Sequence, residues 1–196
     1  MKRLIFIVCL VFCAVSWASA QITDENPKNE FFVGYSYHSA DIDSLTINPR
    51  RTGQNGANFA YTRNINKNIG ITGDISAHFS RRTQTLNGGE FKSKRDQYYL
   101  LAGVQFKAPN KSRVTPFAHA LAGGSFFRGF TSNLTPAGNF YTFDDATSFA
   151  AVLGGGLDVR VNKRIAVRLV QADYAPTFFG SGRQDNIRLS FGVVFR

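Results

Sequence analysis

Apolar and polar residues alternate with a period of two in eight separate stretches of this chain. That is the repeat of a β-strand with two unlike faces. Between Glu30 and Ser39, residues Phe31, Val33, Tyr35 and Tyr37 share one face, and Gly34, Ser36 and His38 the other. From Ala57 to Ile65, Ala57, Phe59, Tyr61 and Ile65 alternate with Asn58, Ala60, Thr62 and Asn64. From Ile69 to Ser80, Ile69, Ile71, Ile75, Ala77 and Phe79 oppose Gly70, Thr72, Asp74, Ser76, His78 and Ser80. Asp96–Lys107 places Tyr98, Leu100, Ala102, Val104 and Phe106 on one face. Ser148–Arg160 sets Phe149, Ala151, Leu153, Leu157 and Val159 against a face that includes Gly154, Gly156, Asp158 and Arg160. Asn186–Phe195 alternates Ile187, Leu189, Phe191, Val193 and Phe195 with Arg188, Ser190 and Gly192. Two stretches are less regular. Val114–Phe127 is small and Gly-rich, and its facing is ambiguous. Ile165–Tyr174 begins with Ile165, Val167 and Leu169 in phase, then puts Gln171 and Asp173 on the apolar face.

The connections form a second pattern. Asn66–Asn68, Ala108–Arg113 and Asn162–Arg164 are short, whereas Ala40–Gly56, Arg81–Arg95, Arg128–Thr147 and Ala175–Asp185 are long. Such segregation is expected when one rim of an up-and-down barrel has tight periplasmic turns and the other has loops facing outside. The expected fold is therefore all-β: an eight-stranded antiparallel up-and-down transmembrane barrel.

A soluble barrel or a β-sandwich also alternates, but it turns its apolar face inward. Here the opposite face carries Asp74, Asp158, Arg160, Arg168 and Arg188. An Arg facing lipid at mid-depth costs about 2–4 kcal/mol, so the charged face is expected to point into the lumen. Eight strands enclose a space that side chains can just fill, so no open pore is expected.

The beginning of the chain reads differently. Lys2 and Arg3 precede an almost wholly apolar run, Leu4–Trp17, and Ala18-Ser19-Ala20 supplies a small-residue cleavage pattern. Residues 1–20 are expected to be a signal peptide, with the mature chain starting at Gln21, a short periplasmic segment at 21–29 and the barrel at 30–196. The run is shorter than the ~20 residues a spanning helix needs. A lipoprotein signal would use Cys9 or Cys13, but both lie inside the apolar run and Cys13 follows bulky Phe12. Cleavage would remove both cysteines, leaving no disulfide and no thiol chemistry. It would also lower the formal charge from +10 to +8 by removing Lys2 and Arg3.

The last stretch, Ile187, Leu189, Phe191, Val193 and Phe195, resembles the C-terminal assembly signal of bacterial outer-membrane proteins. The segment Gln171-Ala172-Asp173-Tyr174, then Pro176 and Phe178-Phe179, then Asn186–Ser190, resembles their last hairpin. With eight strands and unequal loops, residues 30–196 are similar to the outer-membrane β-barrel domain family of OmpA-, OmpX- and Opa-type barrels. Arg196 departs from that pattern, since it extends one residue past the terminal aromatic. The resemblance implies residence in the outer membrane, contact with its lipid and lipopolysaccharide, delivery by the assembly machinery, a monomeric state and no cofactor. The peptidoglycan-binding domain of OmpA itself is not expected here.

Candidate chemistry lies first in the inward charges. Strands three and seven face each other across an eight-membered ring, so Asp74 is expected to meet Arg168, with Arg188, Asp158 and Arg160 extending the network. It would act as a permanent plug, because buried charges must be paired, or as a gate that switches pairing. His38 and His78, with Asp74 and Asp41 nearby, lack the close spacing of a metal site. His78-Phe79-Ser80 resembles the His-x-Ser pair of lipid-A deacylase barrels, but its face is expected to be inward and Arg81-Arg82 do not match that setting. Asn133-Leu134-Thr135 has the form of a glycosylation acceptor, which means little in a bacterial envelope. Gly154-Gly155-Gly156 lacks a phosphate loop's spacing and suggests close packing in the wall. Arg50, Arg51, Arg81, Arg82, Lys92, Lys94, Arg95, Arg128 and Arg183 fall in or beside the outer loops, at the height of lipopolysaccharide phosphates. Export makes nucleic acid an unsuitable partner for this basic chain. The expected function is thus a non-enzymatic envelope barrel working by structure or surface contact. Narrow-pore transport and lipid-A modification are the alternatives.

Overall fold

A computed structural model of the chain describes residues 27–40, 51–86, 89–110, 112–135, 138–179 and 182–196. Ten strand segments run in chain order: β1 Asn29–Ala40, β2 Thr52–Asn64, β3 Ile69–Leu86, β4 Gly89–Lys107, β5 Val114–Thr135, β6 Gly138–Arg160, β7 Ile165–Tyr174, β8 Thr177–Phe179, β9 Gly182–Gln184 and β10 Ile187–Phe195. They form one antiparallel sheet that closes on itself through the β5–β6 and β1–β10 pairings. Segments β7 and β8 lie in one register against β6, and β9 and β10 in one register against them, so the ring has eight strands. The interruption falls at Ala175-Pro176, where proline has no N–H to donate to the ladder. Opposite it, the Asn186 side chain donates to Ala175 O at 3.1 Å and Thr177 Oγ1 at 3.2 Å, restoring the connection.

The alternation faces outward as expected. Ile75 is 54 % exposed while its neighbour Asp74 is 1 % exposed, and Leu100, Phe149 and Phe191 also lie on the outer surface. Asn58, Thr72, Gln105 and Ser190 are buried inside. The ambiguous β5 is settled by its pairing with β4 and β6: Phe117, His119, Leu121 and Ser125 face the lumen, and Phe126 faces out. In β7, the pairing with β10 passes from Arg168 to Gln171 and that with β6 from Arg168 to Val170, and Leu169 and Val170 are both exposed. This bulge inserts one residue and reverses the facing beyond it. Gln171 and Asp173 therefore do not share the apolar face; they turn into the lumen.

The three short connections are each led by an asparagine. Asn66 Oδ1 accepts from the N–H groups of Asn68 and Ile69, and Asn162 Oδ1 from those of Arg164 and Ile165, all at 2.8 Å. Asn110 Oδ1 accepts from Ser112 N at 2.9 Å. These turns rest on the tendency of Asn to bond its own backbone two residues on.

The long connections differ from expectation. Arg81–Arg95 and Arg128–Thr147 are largely not loops: β3–β4 and β5–β6 continue as paired strands to Leu86/Gly89 and Thr135/Gly138. Ala175–Asp185 likewise holds the β8–β9 hairpin, and β2 already starts at Thr52. A tilted strand needs about 9–11 residues to cross a membrane, whereas β5 has 22 and β6 has 23. Beyond the lipid no apolar face is required, so these extensions have no alternation to reveal them.

On β4 the outward aromatics Tyr98 and Phe106 bracket the lipid-facing stretch, with Ala102 midway. Ala102→Arg is expected to destabilise the barrel by about 2–4 kcal/mol in urea unfolding from lipid vesicles. An equal cost for the same change at exposed Thr131 would contradict this outward face.

Candidate functional site

The lumen is occupied by side chains in connected layers, and Arg188 on β10 is its hub. Its Nε donates to Asp173 Oδ2 at 2.8 Å, and its Nη1 to Asp74 Oδ1 at 2.7 Å and Ser76 Oγ at 3.0 Å. Nη2 reaches Asp74 Oδ2 at 3.3 Å. The acids have further partners. Asn58 donates to Asp74 Oδ2 at 2.8 Å, Gln171 to Asp173 Oδ2 at 2.7 Å, and His119 Nε2 lies 2.8 Å from Asp173 Oδ1. The inward Gly154 makes room here: a Cβ on it would come within 2.0 Å of Asp173 Oδ1.

Arg168 forms a second centre. It holds Asp158 in a two-pronged contact at 2.8 and 3.1 Å and donates to Gln171 Oε1 at 2.7 Å. The Phe32 and Phe117 rings cover its guanidinium at 4.4 and 4.0 Å. Such stacking adds about 2 kcal/mol when desolvated. Gln171 thus joins the two arginine centres.

A third group closes the end where the chain terminates. Glu30 on β1 receives Lys107 from β4 through one oxygen, and Lys107 also donates to Asn64 Oδ1 at 3.1 Å. Arg196 Nε stands 3.0 Å from the other Glu30 oxygen. That contact is an ion pair without a directed hydrogen bond. Arg196, the residue beyond the terminal aromatic, is held against the barrel end. Its N–H bonds Arg164 O at 2.8 Å, and its side chain is largely buried against Glu30.

At the opposite end, above Arg188, lies a belt of imidazole, amide and hydroxyl groups. His38 contacts Gln54 Oε1 through Nδ1 and Tyr99 Oη through Nε2, both at 2.9 Å. Gln97 donates to Tyr99 Oη at 2.8 Å and Ser125 Oγ at 3.1 Å. His78 Nε2 contacts Ser36 Oγ at 2.9 Å, and Ser190 donates to Ser36 at 3.0 Å. An apolar cluster of Tyr99, Leu101, Leu121, Ala150, Val152 and Ala175 fills the lumen beside this belt.

Four of the five singled-out inward charges form ion pairs, but with different partners from those expected. Asp74 does not meet Arg168; it pairs with Arg188, while Arg168 takes Asp158 directly opposite it on β6. The cause is the β7 bulge, which brings in Asp173 to fix Arg188 between two carboxylates. Arg160 is half-buried and stands outside these groups. Ile187, Leu189, Phe191 and Phe195 face outward in β10, with Val193 half-buried among them. Asp173, Gln171, Glu30, Lys107 and the two covering phenylalanines were not singled out by sequence. The apolar pair Leu169-Val170 inside an alternating stretch was the available sign of a bulge.

His38 and His78 do come together, with ring centroids 4.9 Å apart. Asp74 is bound by Arg188 and Asn58 instead, and Asp41 lies outside the described residues. Among the described residues, no group of three His, Cys, Asp or Glu is placed to hold a metal.

A closed barrel with a polar, ion-paired interior and an apolar outer wall is an integral outer-membrane β-barrel. The chain belongs to the outer membrane protein beta-barrel domain family, whose model matches residues 7–195. It is similar in fold to Ail, the attachment invasion locus protein of Yersinia pestis: 16 % identity, TM-score 0.56, covering 85 % of this chain and 97 % of that one. A structure of Ail in complex with the heparin analogue sucrose octasulfate matches at 14 % identity and TM-score 0.53, covering 86 % of this chain and 100 % of that one. Neisserial surface protein A matches at 15 % identity and TM-score 0.53, covering 88 % and 99 %. Among curated protein sequences there is no match.

Removing one partner of a buried ion pair costs about 3–5 kcal/mol, because it strands the other charge. Arg188→Met is expected to lower stability by that amount in vesicle unfolding experiments. Adding Asp74→Asn to it should recover part of the loss, and strict additivity of the two changes would contradict the pairing.

Proposed function

We propose that this chain is a non-enzymatic, non-conducting barrel that works through its outward hairpins. They would contact lipopolysaccharide, neighbouring proteins or a host surface. The observation that carries this reading is the filled lumen. Arg188 on β10 is anchored to Asp74 on β3 and Asp173 on β7, and Arg168 on β7 to Asp158 on β6, so the plug is part of the wall's own stability. A gate would have to break several buried ion pairs at once, at a cost of several kcal/mol.

The hairpins supply what the lumen does not. β5 and β6 are about twice the length needed to cross lipid and stand out beyond it. The likeness to Ail, an attachment and invasion protein, agrees with a surface-contact role. The deacylase reading gains no support from His78. Its Nε2 is engaged by Ser36 and its ring packs on His38 inside the lumen, away from lipid. Lipid-A acyl chains are therefore expected to be unchanged on expression.

One variant tests both halves of the proposal. Replacing residues 131–142 with an Asn-Gly turn shortens the β5–β6 hairpin without touching the lumen. Wild type and variant should both show heat-modifiable mobility and no steady conductance in planar bilayers, and only the wild type should promote adhesion of expressing cells. Steady openings in the wild type that vanish in Asp74→Ala would establish a pore instead. Equal adhesion by both forms would remove the role of the hairpin.

A further inference from the structure

The three tight turns share more than their asparagine. Ile65-Asn66-Lys67-Asn68-Ile69 joins β2 to β3, and Val161-Asn162-Lys163-Arg164-Ile165 joins β6 to β7. The same backbone bonds close both. Ile65 N and Asn66 N donate to Ile69 O at 2.9 and 3.2 Å, and Val161 N and Asn162 N to Ile165 O at 3.0 and 3.1 Å. The third turn, between β4 and β5, carries Asn110-Lys111-Ser112-Arg113. The turn itself accounts for each asparagine, whose side chain bonds the backbone two residues on. Nothing in that backbone pattern requires the lysine that follows it three times.

The turns stand around the rim rather than on one side of it. The β2–β3 and β6–β7 turns face each other across the ring of eight strands, and the β4–β5 turn lies midway between them. Lys67, Arg113, Lys163 and Arg164 are exposed. Among the described residues of this end, the acidic side chains are Glu30 and Asp158, and both are buried in the lumen against Lys107 and Arg168. The apolar outer wall runs down to the same turns. Phe106 is paired with Ile69 and Phe195 with Ile165, so outward aromatic residues flank the base of two turns. Such residues mark the boundary between acyl chains and headgroups. At the other base of these turns, Ile65 and Val161 are 64 % and 58 % exposed. Two residues of strand span about 7 Å, which puts Lys67 and Lys163 at the depth of the headgroups.

We infer that this rim is a collar for anionic phospholipid of the inner, periplasmic leaflet, with Lys67, Arg113, Lys163 and Arg164 on the phosphates and Ile65 and Val161 among the first methylenes of the acyl chains. The inference does not depend on the hairpins and goes beyond the surface-contact reading. Basic residues beside a membrane attract anionic headgroups, and two observations choose this partner over others. A docked protein or a cell-wall strand needs charge on one side, whereas charge spaced round the ring matches a leaflet that surrounds the barrel. A polymer in water also leaves Ile65 and Val161 exposed, whereas acyl chains cover them.

Native mass spectrometry of the folded protein tests this, released from neutral detergent micelles that hold phosphatidylglycerol, phosphatidylcholine or soluble peptidoglycan fragments. The wild type should retain phosphatidylglycerol in preference to phosphatidylcholine, and less of it as salt is raised. Each basic residue beside an anionic lipid surface is worth about fivefold in affinity. Lys67→Gln/Arg113→Gln/Lys163→Gln/Arg164→Gln is therefore expected to lower retention about tenfold or more. The charge-conserving set Lys67→Arg/Arg113→Lys/Lys163→Arg/Arg164→Lys should retain the lipid as wild type does. Ile65→Ser/Val161→Ser should lower retention with every charge in place. Heat-modifiable mobility reports that each variant is folded. Equal retention by wild type and the glutamine variant, or equal retention of the two lipids, would overturn the collar. Charge-dependent retention of peptidoglycan fragments without a preference for phosphatidylglycerol would overturn it too, and assign the rim to the cell wall. Adhesion by the hairpins is measured separately, so failure of the collar leaves the surface-contact reading standing.

Discussion

In hydrocarbon no water replaces a missing backbone hydrogen bond, and this requirement shapes everything else in the molecule. A sheet meets it only by closing, which here happens where β1 pairs with β10 along nine residues. Closure gives every strand one face toward lipid and one toward a narrow lumen. Phe, Tyr, Ile and Leu then occupy the outer positions, and charged or amide side chains have only the interior left. The same requirement accounts for Asn186, which re-joins the ladder where Pro176 cannot donate.

An interior of that size cannot leave charges hydrated, so they must be paired with one another. The lumen does this in three groups that share strands: Arg188 with Asp74 and Asp173, Arg168 with Asp158, and Glu30 with Lys107 and Arg196. Formal charge is balanced across these groups taken together. Cross-lumen pairs tie non-adjacent strands: Asp74 on β3 reaches β10, and Lys107 on β4 reaches β1. The interior therefore works as a cross-brace between strands that are not neighbours in the ring.

The sequence revealed what lipid enforces and concealed what it does not. Outward and inward positions of β1 to β4, β6 and β10 were legible, because a two-phase environment imposes a strict repeat. So was the inward placement of Arg188 and Asp158. The pairing of Asp74 was not legible, because ring geometry alone ignored the extra residue at Leu169-Val170. That bulge moved Asp173 inside, where it competes for Arg188. β5 stayed ambiguous because Ala and Gly satisfy either face, and only Phe117 and Leu121 against their neighbours fix it. The projecting halves of β3 to β6 escaped notice for the opposite reason, since in water both faces are polar.

The central claim is the facing of each residue, including its reversal in β7. With Cys9 and Cys13, the two cysteines of the chain, replaced by serine, single cysteines can be spin-labelled along β3 and β7. Oxygen accessibility in vesicles measures lipid exposure directly. It should peak at positions 71, 73, 75 and 77 of β3, and at 165, 167, 169, 170 and 172 of β7. Uninterrupted alternation through 169 to 173, with labels at 171 and 173 exposed to lipid, would contradict the account.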